Sequence, residues 1–168
     1  AKFHIIDQPN QGQVAARNNG VQAARGKFIA FLDSDDRWLP KKLEWQLPKF
    51  TSDVGLVYCA VEFIDGEGEV VGTEQLDNSL QGNIYSQLLI KNRMTGGTVV
   101  VRKNVLEDVG LFDPEFKAAE NWDLWIRICK KYYAALVDKP LVQYRVHPDN
   151  MSKDFELMLA AKKSIMDK

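Results

Sequence analysis

The sequence predicts an α/β fold with a mostly parallel sheet flanked by helices. Three observations carry this. The apolar run Phe28-Ile29-Ala30-Phe31-Leu32 reads as a buried strand. Before it, Val14, Ala15, Val21 and Ala24 recur at helical spacing over residues 13–24. Residues 3–6 alternate weakly as a strand, so strand, helix and strand fall within about thirty residues, as in a parallel βαβ unit.

The elements follow in order. Asn10 caps the first helix and Gly26 stops it. Pro40 suits the first turn of a helix reaching residue 50, with Leu43 and Leu47 on one face. Residues 54–64 are apolar and β-branched, a strand; Asp65-Gly66-Glu67-Gly68 is a turn, and Glu69-Val70-Val71 returns as a hairpin. A polar loop over 72–82 precedes a helix at 83–91. Gly96-Gly97 opens a strand at 98–102, and a helix over 103–109 stops at Gly110. Trp122, Trp125, Ile126 and Cys129, spaced by three and four, make 120–132 helical. Strands near 134–137 and 141–146 precede an amphipathic helix over 154–168 carrying Leu157, Leu159, Ala160 and Ile165.

Composition narrows the function. The 168 residues, 45% hydrophobic and 27% charged, suit one domain spanning 1–168. A net charge of −1 argues against a general nucleic-acid binder. Cys59 and Cys129 lie far apart in apolar surroundings and read as buried thiols of a reducing compartment, so the expected location is cytoplasmic. No apolar run approaches the roughly 18 residues of a membrane span. The chain opens in strand-like sequence without Met, which suggests a piece of a longer protein.

The chemistry concentrates at Asp33-Ser34-Asp35-Asp36, where the chain leaves the strand at 28–32. Carboxylates so close repel unless a cation neutralises them, and Mg²⁺ and Mn²⁺ take oxygen ligands of this kind. A turn followed by a helix cap explains the same residues equally well. Asp33 and Asp35 need not share one ion directly, and Asp36 could brace the loop. Gly12 and Gly20 are what a close backbone contact needs, and Arg17, on the preceding helix, could reach an anionic ligand or simply lie at the surface. In Glu120-Asn121-Trp122-Asp123, Glu120 is either a first-turn acid or a base, and Trp122 either core or a platform for an acceptor sugar. His147 reads as structural or as a ligand that suits Mn²⁺ better than Mg²⁺.

Taken together, these residues resemble the family 2 glycosyltransferases. The motif QPNQGQVAARNNGVQAARGKFIAFLDSDDRWLPKKLEWQ is followed in the family's order by TGGTVVVRKNVLEDVGLFDPEF, ENWDLWIRI and YRVHPDNMS. The resemblance implies the GT-A fold, Rossmann-like and mostly parallel, here without the N-terminal strand–helix–strand that supplies the nucleotide-base pocket. It implies an inverting transfer from a nucleotide-diphosphate sugar, of UDP or dTDP type, to a glycan, lipid or protein hydroxyl. A Mn²⁺ or Mg²⁺ ion would sit on Asp35, with Asp33 on the donor's ribose or a metal-bound water and His147 near metal and diphosphate. Asn10, Gly12 and Arg17 would contact the nucleotide, and Gly96 and Gly97 would leave room for the donor sugar. The full-length protein could sit peripherally at the cytoplasmic membrane face, and the uncovered sheet edge could support self-association.

One departure bears on activity. Asn121 stands where relatives place the Asp that acts as base, and an amide cannot usefully accept a proton. Glu120 is the expected replacement, since Asp123, one residue after Trp122, should point elsewhere. The alternatives are Asp123 as base, or a non-catalytic nucleotide-sugar or glycan-binding module. The segments 65–82 and 112–120 are the expected acceptor-side loops.

Overall fold

The computed structural model describes residues 3–148 and 150–168. Ala1, Lys2 and Asp149 of the YRVHPDNMS motif lie outside the described residues. The chain forms α1 (Gly12–Ala23), β1 (Phe28–Ala30), β2 (Arg37–Trp38), α2 (Lys42–Gln46), β3 (Val54–Ile64) and β4 (Val70–Thr73). It continues through α3 (Tyr85–Ile90), β5 (Val100–Arg102), α4 (Lys103–Val109), α5 (Glu120–Cys129), β6 (Tyr133–Arg145) and α6 (Phe155–Met166).

The α/β class holds, while the strand pairing differs from a mostly parallel sheet. The order is β1-β5-β3-β6-β2, with β4 on β3. Only the β3–β6 pairing is parallel among the described strands, running from Val54 opposite Tyr133 to Ile64 opposite Arg145. The β1–β5, β2–β6, β3–β4 and β3–β5 pairings are antiparallel. The expected βαβ unit is absent, because residues 3–6 form no ladder and Phe3 and Ile5 are 94% and 87% exposed. A weak alternation with no strand beside it has nothing to bond to, so β1 finds its partner in β5 instead.

β3 explains why the long apolar run at 54–64 is a strand. Its Leu56, Tyr58 and Ala60 enter the core under α1, α4 and α5, while Val57, Cys59 and Val61 enter a second core with Val137 and Val142 of β6. A strand buried on both faces shows no polar alternation. The two strands expected at 134–137 and 141–146 are one, β6, whose register slips where Cys59 faces Val137 but Ala60 faces Pro140. Pro140 has no N–H to give the ladder, which accounts for the break seen in the sequence. Gly110 ends α4 as expected, at φ 87, a conformation that favours glycine.

The helix expected from Pro40 to residue 50 is shorter: α2 is followed by a 3₁₀ turn at Leu47–Lys49. Its inward face is also different, since Lys42 and Gln46 are buried while Leu43 and Leu47 remain 39% and 38% exposed. No helix among the described residues is long and apolar enough to cross a membrane.

Candidate active site

The acidic turn sits between the end of β1 and the start of β2, closed by the Asp36 N–H donating to the Asp33 carbonyl at 3.2 Å. Its three carboxylates diverge. Asp33 Oδ1 accepts from Arg17 Nη2 at 2.6 Å. Asp35 Oδ2 lies 3.2 Å from His147 Nε2. Asp36 turns inward, where its Oδ1 accepts the Arg145 N–H at 3.0 Å and its Oδ2 is buried with no partner. Burial, with the charges of Asp35 and Asp33, pushes the Asp36 carboxyl up to about 6 against the opposing Arg145 hydrogen bond.

Arg145 fastens the turn from below. Its Nε donates to the Asp35 carbonyl at 3.1 Å, and its Nη1 donates to the Asp65 and Gly66 carbonyls at 2.6 and 2.8 Å. The acidic turn and the β3–β4 hairpin are thus bound through one guanidinium. Arg145 was not among the expected site residues, although it lies two positions before His147 in the same motif.

Arg17 spans the site. Besides Asp33 it holds Glu120 Oε1, and its guanidinium carbon lies 5.6 Å from the centroid of the Phe112 ring. Burial alone would lower its pKa, but Asp33 and Glu120 outweigh that and hold it above the ordinary value. The guanidinium that was expected to meet the nucleotide is thus committed to two carboxylates.

Helix α5 begins at a left-handed Ala119 with φ 56, an unusual conformation for a residue with a Cβ. Glu120 is then buried at 4% exposure, whereas Asn121 is partly exposed and lines the cleft described below. Trp122 corrects an expectation: it is buried, and its Nε1 donates to the Leu88 carbonyl at 2.7 Å, so no face is open to a sugar. Asp123 points away from the cleft, as its place in the helix predicted. Its Oδ2 accepts from Arg127 Nε at 2.8 Å, and its Oδ1 accepts from Lys168 Nζ at 3.3 Å.

Gly96 is the meeting point. A methyl group added there would come within 3.8 Å of Arg17 Nη2, 3.9 Å of Asn121 Nδ2 and 4.0 Å of Asp33 Oδ2. A side chain larger than hydrogen would fill the space between these groups. Gly97 faces inward instead, its added methyl falling 3.4 Å from Val142 and 3.6 Å from Asp36 Oδ2. These glycines do not open a strand; they form a 3₁₀ turn over Gly96–Thr98 ahead of β5.

That turn is held by residues no apolar pattern revealed. Trp38 Nε1 donates to the Gly97 carbonyl at 3.2 Å. Gln46 Nε2 donates to the Thr98 carbonyl at 2.8 Å and to the Val57 carbonyl at 3.1 Å. Gln46 Oε1 accepts from Lys42 Nζ at 2.6 Å, and the ammonium stands 4.7 Å from the centroid of the Trp38 ring. Burial lowers the Lys42 pKa to about 8. The only sequence signal was the polar i, i+4 spacing of Lys42 and Gln46 in a helix after the acidic turn.

The cleft itself holds about 260 Å³. Arg17, Asp33, Gly96 and Asn121 form one end, and Val61, Phe63 and Tyr144 contribute an aromatic and aliphatic wall. Asp35 and His147 do not line it, but Asp33, two positions before Asp35, does. Asn10 and Gly12 also stand outside the lining: the Asn10 side chain accepts the Gly12 N–H at 3.0 Å, and Gly12 is needed for its φ of 85. Neither Gly12 nor Gly20 makes the close contact expected of it, for nothing lies within 4 Å of a methyl added at either.

Asp35 and His147 are a fitting pair for a divalent cation, offering one hard oxygen and one imidazole nitrogen. No group of three or more acidic, histidine or cysteine side chains is placed to hold an ion among the described residues. A cation here would need further ligands from phosphate or water, as sites built on one or two side chains do.

The model of glycosyl transferase family 2 matches residues 1–110. The chain belongs to this family. An uncharacterized glycosyltransferase of Nostoc sp., alr2836, is 34% identical over 89% of the chain and 48% of its own length. Another, MJ1057 of Methanocaldococcus jannaschii, is 30% identical over 84% of the chain and 50% of its own length. The chain thus spans about half the length of these family members. The fold is that of the S. aureus TarS 1-349 crystal structure, with a TM-score of 0.59 at 19% identity, over 96% of this chain and 51% of that one. A second TarS structure, in complex with UDP, superposes with a TM-score of 0.50 at 18% identity, over 92% of this chain and 49% of that one.

Proposed function

We propose that the protein to which this chain belongs transfers a sugar from a nucleotide-diphosphate donor to a hydroxyl of a glycan, lipid or protein acceptor. The transfer is metal-dependent and inverts the anomeric centre. The observation that carries this reading is the Asp35–His147 pair at 3.2 Å, beside an Asp33 that lines the same cleft as Gly96 and Asn121. Membership of the family supports the transferase class, and the UDP held by the TarS neighbour supports a UDP donor.

In this reading Asp35 and His147 would hold Mn²⁺ or Mg²⁺, and the bound ion would supply positive charge at the diphosphate. Asp33 is kept in place by Arg17 and orients the donor. Gly96 leaves room for the transferred sugar, and Asn121 hydrogen-bonds donor or acceptor hydroxyls. One in-line displacement inverts the anomeric carbon, by the logic of inverting hydrolases.

Calorimetric titration of UDP with and without Mn²⁺, followed by UDP release from UDP-sugars, tests the reading. UDP binding that needs the metal, with donor turnover, is expected. Metal-independent behaviour would leave the acidic turn as a cap. A second reading, a non-catalytic nucleotide-sugar-binding module, is favoured by Asn121 and by the engagement of Glu120 with Arg17. It predicts metal-dependent UDP binding with no turnover.

A further inference from the structure

Three carboxylates line the cleft: Asp33, Glu120 and Glu74. Asp33 and Glu120 share the Arg17 guanidinium. Asp123 is turned into its own ion pairs with Arg127 and Lys168. Asn121 has no basic oxygen. Glu74 differs from all of these: its carboxylate is in no ion pair among the described residues, and Lys91 and Arg93 act on it only through their charge. It follows β4 directly, and its backbone N–H donates to the Val61 carbonyl at 2.9 Å, which anchors it beside the strand whose Val61 and Phe63 wall the cleft.

We propose that Glu74 is the general base for the acceptor hydroxyl. The proposal rests on the transferase reading above and adds to it the group that the acidic helix start lacks. As the acceptor oxygen forms its bond to the anomeric carbon, the bond from that carbon to the diphosphate oxygen breaks. The electron pair of the broken bond leaves with the diphosphate, and the hydroxyl proton passes to a Glu74 oxygen. Everything balances without a further reactant.

The surroundings of Glu74 suit this role. Burial raises its pKa above the ordinary value, against the opposing charges of Lys91 and Arg93. A carboxylate with a raised pKa is a stronger proton acceptor. Phe63 and Tyr144, which line the same cleft, meet edge to face with centroids 6.1 Å apart, giving an acceptor an aromatic wall.

The test compares wild type, Glu74→Gln, Glu74→Asp, Asn121→Asp and the Glu74→Gln/Asn121→Asp double variant. The readout is UDP release from UDP-glucose, UDP-galactose and UDP-N-acetylglucosamine with Mn²⁺, alongside UDP titration. Glu74→Gln is expected to lower kcat about 100-fold or more, with donor KM and UDP affinity unchanged. It should also abolish the acidic limb of the kcat profile, while Glu74→Asp keeps part of the rate. The double variant should regain activity, because Asp at 121 restores a carboxylate to the same cleft. Wild-type turnover in Glu74→Gln overturns the proposal, as does an inert wild type whose Asn121→Asp variant is active. UDP binding with no turnover in any variant overturns the base and leaves the binding module standing. Absence of both UDP binding and turnover overturns the transferase reading itself, and the base with it.

Discussion

Asp35 Oδ2 and His147 Nε2 stand 3.2 Å apart although 112 positions separate them in the chain. Both are partly exposed, with side chains 41% and 34% accessible, so a cation could reach them without unfolding anything. Substituting either, as Asp35→Asn or His147→Ala, is expected to weaken Mn²⁺-dependent UDP binding about tenfold or more while leaving the thermal midpoint nearly unchanged. Titration calorimetry and a melting curve check the two halves of that statement.

Arg17 is a structural clamp, and its loss should be felt as instability. Arg17→Met leaves Glu120 buried without its partner, which costs about 3 kcal/mol or more by the usual penalty for half a buried ion pair. The double variant Arg17→Met/Glu120→Gln should recover a large share of that loss. Urea denaturation of Arg17→Met, Glu120→Gln and the double variant tests the coupling, and additive effects would contradict it.

Lys42 makes stability depend on alkaline pH. Its folded-state pKa, about 8, lies below the 10.5 of an unperturbed lysine. Between those values the unfolded chain therefore binds more protons than the folded one, so stability rises with pH through that window. Lys42→Met should flatten the rise, which denaturation at pH 7.5, 9 and 10.5 would reveal.

Gln46 holds the carbonyls of Thr98 and Val57 as well as the Lys42 ammonium. Gln46→Leu removes three buried hydrogen bonds and should cost about 2–4 kcal/mol. Because the Thr98 carbonyl ends the Gly96–Thr98 turn, UDP-sugar affinity should fall with it, whereas an equally destabilising change remote from the turn should not lower it. Ile165, in the separate core of α6 with Phe116 and Trp122, supplies that control as Ile165→Ala.

Trp122 belongs to the core and not to the acceptor surface. Trp122→Phe loses the hydrogen bond to Leu88 and some packing, at about 1–3 kcal/mol, with turnover per folded molecule unchanged. A fall in acceptor affinity with normal stability would return it to the acceptor site.

Much of the fold was legible. The β3 strand and the α4 helix with its glycine stop lie where the pattern put them, because each depends on local chemistry: a buried apolar run, a left-handed glycine. The 3–6 strand was misjudged because a strand is a property of two segments, and no described neighbour pairs with that one. The inward face of α2 was misjudged because an apolar pattern cannot anticipate a lysine and a glutamine paired to each other and to backbone carbonyls.

By itself the sequence determined the family and the α/β class, since both rest on local motifs and apolar runs. Only the tertiary structure decided which groups are free. It bound Glu120 to Arg17, turned Asp123 to Arg127 and Lys168, buried Trp122 and brought Glu74 to the cleft wall. A carboxylate's availability depends on what the fold sets against it, and those partners lie tens of residues away in the chain.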